Sequence, residues 1–365
     1  MDALRRTLPA VHYVDAGVFA REMERIFTGI WVNACRLEQV AARGQFVRVE
    51  FAGASLLVVG DGARGARVFH NVCRHRGTRL CDAAEGTLAG SIQCPYHAWT
   101  YDLDGRLIGA PLMEEVEGFK AGDFPLRRAG SEVWDGHVFV NLALDPPSLA
   151  VQLGDLPSRF APWRMSELMR VHVVEYDVRA NWKLIVQNYN ECLHCPVIHP
   201  LLNRMHHYLG AENVPSTGSY CGGAMGFRAG VETLSTDGRR RRAILPGLGP
   251  AEAAVVNYFA IYPNLLLTLH PDYMLTVRLW PVAPDRTRLI SEWHVHPDEA
   301  ARPDFVIDDA VEFWDLTNRE DWAICERSQQ GIQSRGYTPG PYSSREMQLW
   351  EFDQFVLGHM ADRTA

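Results

Sequence analysis

The 365-residue sequence predicts an α+β protein of two domains, and three observations lead there. A chain of this length exceeds what one hydrophobic core usually fills. Its first part carries short apolar runs separated by Gly-rich turns, as in a small all-β module. Its second part mixes longer strand-like runs with helical stretches, which points to an antiparallel sheet flanked by helices. The expected division is an N-terminal helical segment over 1–40 that packs on the second domain, a β module over 41–145, and a larger helix-and-sheet domain over 146–365.

Each element has a local reason. Between residues 15 and 31, Val18, Phe19, Met23, Ile26, Phe27 and Ile30 recur at helical spacing and predict an amphipathic helix. Strands are expected over 45–51, 55–59, 67–71, 91–93, 99–101 and 137–141, and Asp145-Pro146-Pro147 then begins a linker. A strand over 171–178 and a helix over 182–195 open the second domain. Runs over 255–262, 265–270, 274–281 and 288–296, punctuated by Pro-Asn and Pro-Asp turns, read as an antiparallel sheet. A long helix over about 304–330 closes the pattern.

Composition narrows the function. A net charge of −8 and a pI near 6.0 argue against nucleic acid as a partner. The run Arg239 to Arg242 follows an Asp-Gly turn and reads as a solvated loop. No apolar run reaches the ~20 residues of a membrane helix, and the N-terminus lacks the apolar core of a signal peptide, so a cytoplasmic protein is expected. Six of the eight cysteines are scattered without a disulfide framework, and Cys81 reads as a small buried hydrophobe.

Two of the cysteines stand out. Cys73-Arg74-His75 and Cys94-Pro95-Tyr96-His97 each offer one thiolate and one imidazole from a short loop. A Rieske 2Fe-2S centre needs that set, with both cysteines on one iron and both histidines on the other. Zinc could also take two Cys and two His, but a zinc finger separates its cysteines from its histidines, whereas here they alternate. Gly77 and Pro95 are turn residues that let backbone N–H groups face the cluster sulfurs.

The second cluster lies at 181–200. Asn188, Glu191 and His194 are three apart and would share one face of a helix. His199 falls about 140° round an ideal helix from His194, so a kink at Pro196 is needed to bring the two together. Asp321, on the stripe Ala310, Trp314, Thr317, Asp321, Ile324 and Ser328, supplies a carboxylate on an inward face. Pairing with Arg319 or Arg327 is the plainer role for it. Two histidines and one carboxylate on ferrous iron leave positions open for dioxygen and substrate.

Residues 71–107 resemble the Rieske domain of the non-haem iron oxygenases; 181–200 and 318–326 resemble the catalytic motifs of their alpha subunits. The resemblance implies that Cys73, His75, Cys94 and His97 hold the cluster and that His194, His199 and Asp321 bind mononuclear Fe(II). It places Glu191 where an acid, often Asp, bridges to the cluster histidine of a neighbouring subunit, His97 being the match, with Asn188 beside it as a further catalytic candidate. Gln187 stands where many relatives have Glu, and Leu193 where an aromatic is common. The family further implies a homotrimer and a separate reductase that uses NAD(P)H, since no nucleotide-binding fingerprint is present here.

The carboxyl half, including 262–266 and 270–281, resembles the glycine betaine and quaternary-amine demethylating branch. That branch implies N-demethylation of a betaine-like substrate with O2. Tyr258, Tyr273, Trp293, Phe313 and Trp314 are the candidate cation cage, with ordinary core as their alternative role. Hydroxylation of an aromatic acid is the competing activity and would call for an arginine in the pocket. A Rieske electron-transfer protein without catalysis would not need the second domain.

Overall fold

The computed structural model describes residues 4–361, which form two compact units. The first, Phe27–Leu149, is all-β. Strands β1 (Val32–Arg36), β2 (Gln45–Phe51), β3 (Ala54–Gly60), β4 (Ala66–His70), β5 (Glu85–Thr87), β9 (Arg128–Trp134) and β10 (His137–Asn141) form one sheet in the order β1-β10-β9-β4-β3-β2-β5. Strands β6 (Ser91–Gln93), β7 (Thr100–Asp102) and β8 (Leu107–Gly109) form a second. The unit begins earlier than the expected position 41, because the wholly buried β1 pairs antiparallel with β10. Its core gathers Phe46, Leu57, Phe69, Trp99 and Tyr101 around Cys73 and Cys94. Cys81 packs against that core half-buried, short of the full burial expected.

The second unit joins the described part of Met1–Ile26 to that of Ala150–Ala365. Its sheet runs β11-β17-β16-β15-β14-β13-β12, antiparallel throughout. The strands are β11 (Met169–Val178), β12 (His206–Asn213), β13 (Tyr220–Phe227), β14 (Val255–Ile261), β15 (Leu265–Leu269), β16 (Met274–Ala283) and β17 (Arg286–Val295). All five residues of β15, LLLTL, are buried, which explains the unbroken apolar run at the middle of the sheet. The largely polar β12 (HHYLGAEN) and the Gly-rich β13 (YCGGAMGF) carry no strand-like apolar alternation, so the sequence does not predict them.

Helices hold the site. The first, α1 (Ala16–Glu22), is capped by Asp15, whose carboxylate accepts from Val18 N at 2.8 Å. It presents the buried Glu22 to Lys183 Nζ at 2.6 Å and to Trp182 Nε1 at 2.9 Å. Those two residues open α2 (Trp182–Tyr189), so a buried ion pair fixes the start of the segment that leads into the site. Removing one partner would leave an uncompensated charge, at a cost of about 3–5 kcal/mol. The predicted helix over 182–195 ends at Tyr189 instead, and a one-turn helix α3 (Cys195–Ile198) follows. The long α4 (Asp308–Ile332) matches the late apolar stripe, although Ser328 at its far end is exposed. A last helix, α5, spans Met347–Met360. The Arg239–Arg242 run is only partly a solvated loop. Arg242 is buried, held by Asp272 at 3.0 Å and Asp309 at 2.6 Å, because its carboxylate partners come from distant segments.

Candidate active site

In the first unit the two Cys-His segments fold into nearly the same backbone. Cys73 N donates to Thr78 O at 2.8 Å and Gly77 N to Cys73 O at 3.1 Å; Cys94 N donates to Trp99 O at 2.8 Å and Ala98 N to Cys94 O at 3.2 Å. Gly77 and Ala98 share a left-handed conformation, φ +77° and +55°, which lets each loop fold back on its cysteine. The imidazoles of His75 and His97 come together with centroids 4.9 Å apart, and His75 stacks on Trp99. Both thiols are buried and unpaired, and the Tyr101 hydroxyl lies 3.4 Å from Cys73 Sγ. Burial pushes the Cys73 thiol up, while burial and the neighbouring His97 and Arg76 hold His75 low, which favours its neutral form. Two thiols and two imidazoles in paired loops suit a 2Fe-2S cluster.

In the second unit His194, His199 and Asp321 bring one donor atom each within 4.8 Å of one another. His194 Nε2 is 3.1 Å from His199 Nε2, which is 2.9 Å from Asp321 Oδ1. The convergence does not come from a kinked helix. His194 is the N-cap and His199 the C-cap of α3, with Pro196 in its first turn, where proline's missing N–H costs nothing. For the same reason Asn188, Glu191 and His194 do not share a helical face: Asn190 ends α2, and Glu191 lies in the loop after it. Arg319 pairs with Asp315, leaving Asp321 to the histidines.

The remaining ring nitrogens are also held. Glu191 Oε1 lies 2.5 Å from His194 Nδ1, and Glu320 Oε2 lies 2.7 Å from His199 Nδ1. Both contacts fix the outer face of the imidazole and turn its Nε2 toward the shared point. Burial disfavours charge on His194, but Asp321 and Glu191 outweigh it and push its pKa up to about 9. The cluster therefore calls for positive charge at its centre, and a divalent cation supplies it without protons. Glu320 was missed in the sequence although it adjoins Asp321, since an acid on a surface helix is normally just solvated. The pair Cys192–Cys195 is disulfide-bonded, contrary to the expectation of scattered thiols, because the turn between α2 and α3 brings them together.

A cleft of about 670 Å³, partly open to solvent, lies over these donors. Asn188 lines it beside Glu191, and three aromatic residues, Tyr189, Tyr258 and Trp314, wall it. The other cage candidates, Tyr273, Trp293 and Phe313, are wholly buried core, since the sheet interior and the inner face of α4 take them. Tyr189, overlooked in the sequence, replaces them. Each wall residue has its polar atom tied back. Tyr189 OH meets Leu267 O at 2.9 Å and Thr268 Oγ1 at 2.8 Å. Trp314 Nε1 donates to Tyr273 OH at 2.9 Å and to His270 Nε2 at 3.2 Å. His206 Nδ1 donates to Gly226 O at 2.8 Å, which leaves Nε2 to accept from Tyr258 OH at 3.1 Å. Burial lowers the His206 pKa to about 4, so it stays neutral behind the ring.

Known proteins share this plan. Residues 165–362 match the ring hydroxylating alpha subunit catalytic domain, and 30–120 match the Rieske [2Fe-2S] domain. The glycine betaine monooxygenase oxygenase subunit of Chromohalobacter salexigens is 32% identical, across 92% of this chain and 82% of its own. The carnitine monooxygenase oxygenase subunit of Escherichia coli is 34% identical over 53% of this chain and 52% of its own. A crystal structure of a quaternary ammonium Rieske monooxygenase with L-carnitine superposes with a TM-score of 0.83 at 23% identity, covering 98% and 96% of the two chains. No described helix is long and apolar enough to cross a membrane. The chain belongs to the Rieske non-haem iron oxygenase alpha subunits, oxidoreductases that carry a 2Fe-2S cluster and a mononuclear iron and draw electrons from a separate reductase.

Proposed function

We propose that the chain N-demethylates a betaine-like quaternary amine, with Cys73, His75, Cys94 and His97 holding the cluster and His194, His199 and Asp321 the iron. The observation that carries this reading is the wall of the cleft. Three rings with their polar atoms engaged elsewhere offer π faces, and no Lys or Arg lines the main cleft. That surface attracts a quaternary ammonium, which has no N–H to donate and binds through cation–π contact. An aromatic acid brings no cation for those ring faces to hold.

An iron held by His194, His199 and Asp321 would supply O2 activation, which with two electrons from the reductase and two protons from water would put one oxygen atom into a C–H bond and release the other as water. The chain's own residues place that bond. Tyr189, Tyr258 and Trp314 hold the cation, and the tethers at Thr268, His206 and Tyr273 stop the rings from turning. Glu191 and Glu320 keep His194 and His199 oriented through their Nδ1 atoms. Hydroxylation of an N-methyl group gives a hemiaminal; its C–N bond breaks, the electron pair stays on nitrogen, and formaldehyde leaves with loss of the hydroxyl proton.

A homotrimer in the cytoplasm, in which Glu191 bridges to His97 of a neighbouring copy, completes the proposal. Glu191 suits that role because its carboxylate already contacts His194 in the loop beside the cleft. The test is a substrate screen with a compatible reductase. Betaines should release formaldehyde and consume NAD(P)H in step, and hydroxylation of benzoate-type acids with no formaldehyde from any quaternary amine would overturn the reading.

A further inference from the structure

A betaine has two charged ends, and the cleft accounts for only one. Its rings suit the ammonium, which must lie near His194, His199 and Asp321 for an N-methyl group to react. A smaller recess adjoins it, sharing Asn190, Glu191, Cys192, Ala211 and Asn213. Arg345 is the one basic side chain lining that recess. Arg345 precedes α5, on which Gln348 lines the main cleft, so one segment reaches both spaces. Among the described residues the Arg345 guanidinium makes no hydrogen bond or ion pair; only its backbone N–H is engaged, by Ser343 Oγ. The joined space is therefore aromatic toward the His-His-Asp group and carries a guanidinium at the recess, where the Glu191 carboxylate is engaged by His194 and Leu193 N.

Resting on the quaternary-amine reading, we propose that Arg345 receives the substrate carboxylate and so selects zwitterionic quaternary amines over purely cationic ones. The guanidinium offers paired N–H donors that match a carboxylate, and it is always charged. It acts on binding and orientation, away from the reacting carbon. Arg345 is exposed, so solvent screening limits its effect to about tenfold in binding.

The test uses the full chain with reductase and compares glycine betaine and carnitine with choline, which has the quaternary ammonium but no carboxylate. Arg345→Ala should raise KM and the calorimetric Kd for the two betaines about tenfold, with kcat nearly unchanged, and leave the choline values alone. Arg345→Lys should recover part of the loss, and Arg345→Glu should reverse the preference toward choline. Equal weakening of choline and the betaines would overturn the proposal, as would slower reduction of the mononuclear site with every substrate at unchanged Kd, which would place Arg345 at a contact with another subunit. A wild-type enzyme that binds no quaternary amine would reject the functional reading itself. One that binds betaines, with unchanged Kd in Arg345→Ala, would reject only the role of Arg345.

Discussion

The two candidate metal sites reach their donor sets by opposite routes. The Cys73–Thr78 and Cys94–Trp99 loops are each closed by backbone hydrogen bonds within five residues, so each Cys-His pair is set by its own segment. The His194, His199 and Asp321 group needs α4 to come back across 122 residues, and acids from both segments hold its outer nitrogens. Local construction makes a motif legible and its failure local. Long-range construction makes a site sensitive to whatever positions the distant partner.

Ligand exchange should break the comparison most sharply. Cys94→Ser should abolish the Rieske electron paramagnetic resonance signal, while His199→Ala should keep that signal and lose the mononuclear iron by metal analysis, both falling to background turnover. Stoichiometric zinc with no iron in anaerobically purified protein would contradict both assignments. A smaller effect is expected at Glu191, which touches His194 without being one of the three converging donors. Glu191→Gln should retain both iron signals but slow turnover about 10- to 100-fold, seen in single-turnover assays as slow oxidation of the reduced cluster. Wild-type rates with full coupling would remove the bridging role.

The cleft wall sharpens the contrast from the substrate side. Trp314→Ala should raise Kd for a quaternary amine by about tenfold or more with both metals intact, as loss of a desolvated cation–π contact requires. The effect at His206 falls on stability and leaves the metals and the cleft donors in place. Its folded pKa of about 4 lies below the ordinary 6.5, so the unfolded chain binds more protons between those values. Its contribution to stability is full above pH 6.5 and lost as pH falls toward 4, by about 3 kcal/mol. Denaturant titrations of His206→Gln should show a shallower loss over that window than wild type, and parallel curves would mean that His206 titrates normally.

Much of this was readable in advance for reasons that can be named. The Cys-His spacings identify their loops because the chemistry is confined to a few residues. The strands at 45–51, 91–93 and 137–141 appear where their apolar patterns place them. The sequence predicts one helix over 182–195, since apolar residues continue through Leu193. Asn190 stops it, and the disulfide-closed turn that follows has no signature in hydrophobic periodicity.

The residues alone determined the donor types, their order along the chain and the α+β class, since each follows from composition and short-range spacing. Only the tertiary structure decided which aromatic residues face the cleft, that Glu320 supports His199, and that Arg242 is buried while Arg345 is not. Ring residues in this sheet and on α4 have the same hydrophobic character whether they line a cavity or fill a core. The face they present is settled by packing between segments that local sequence does not connect.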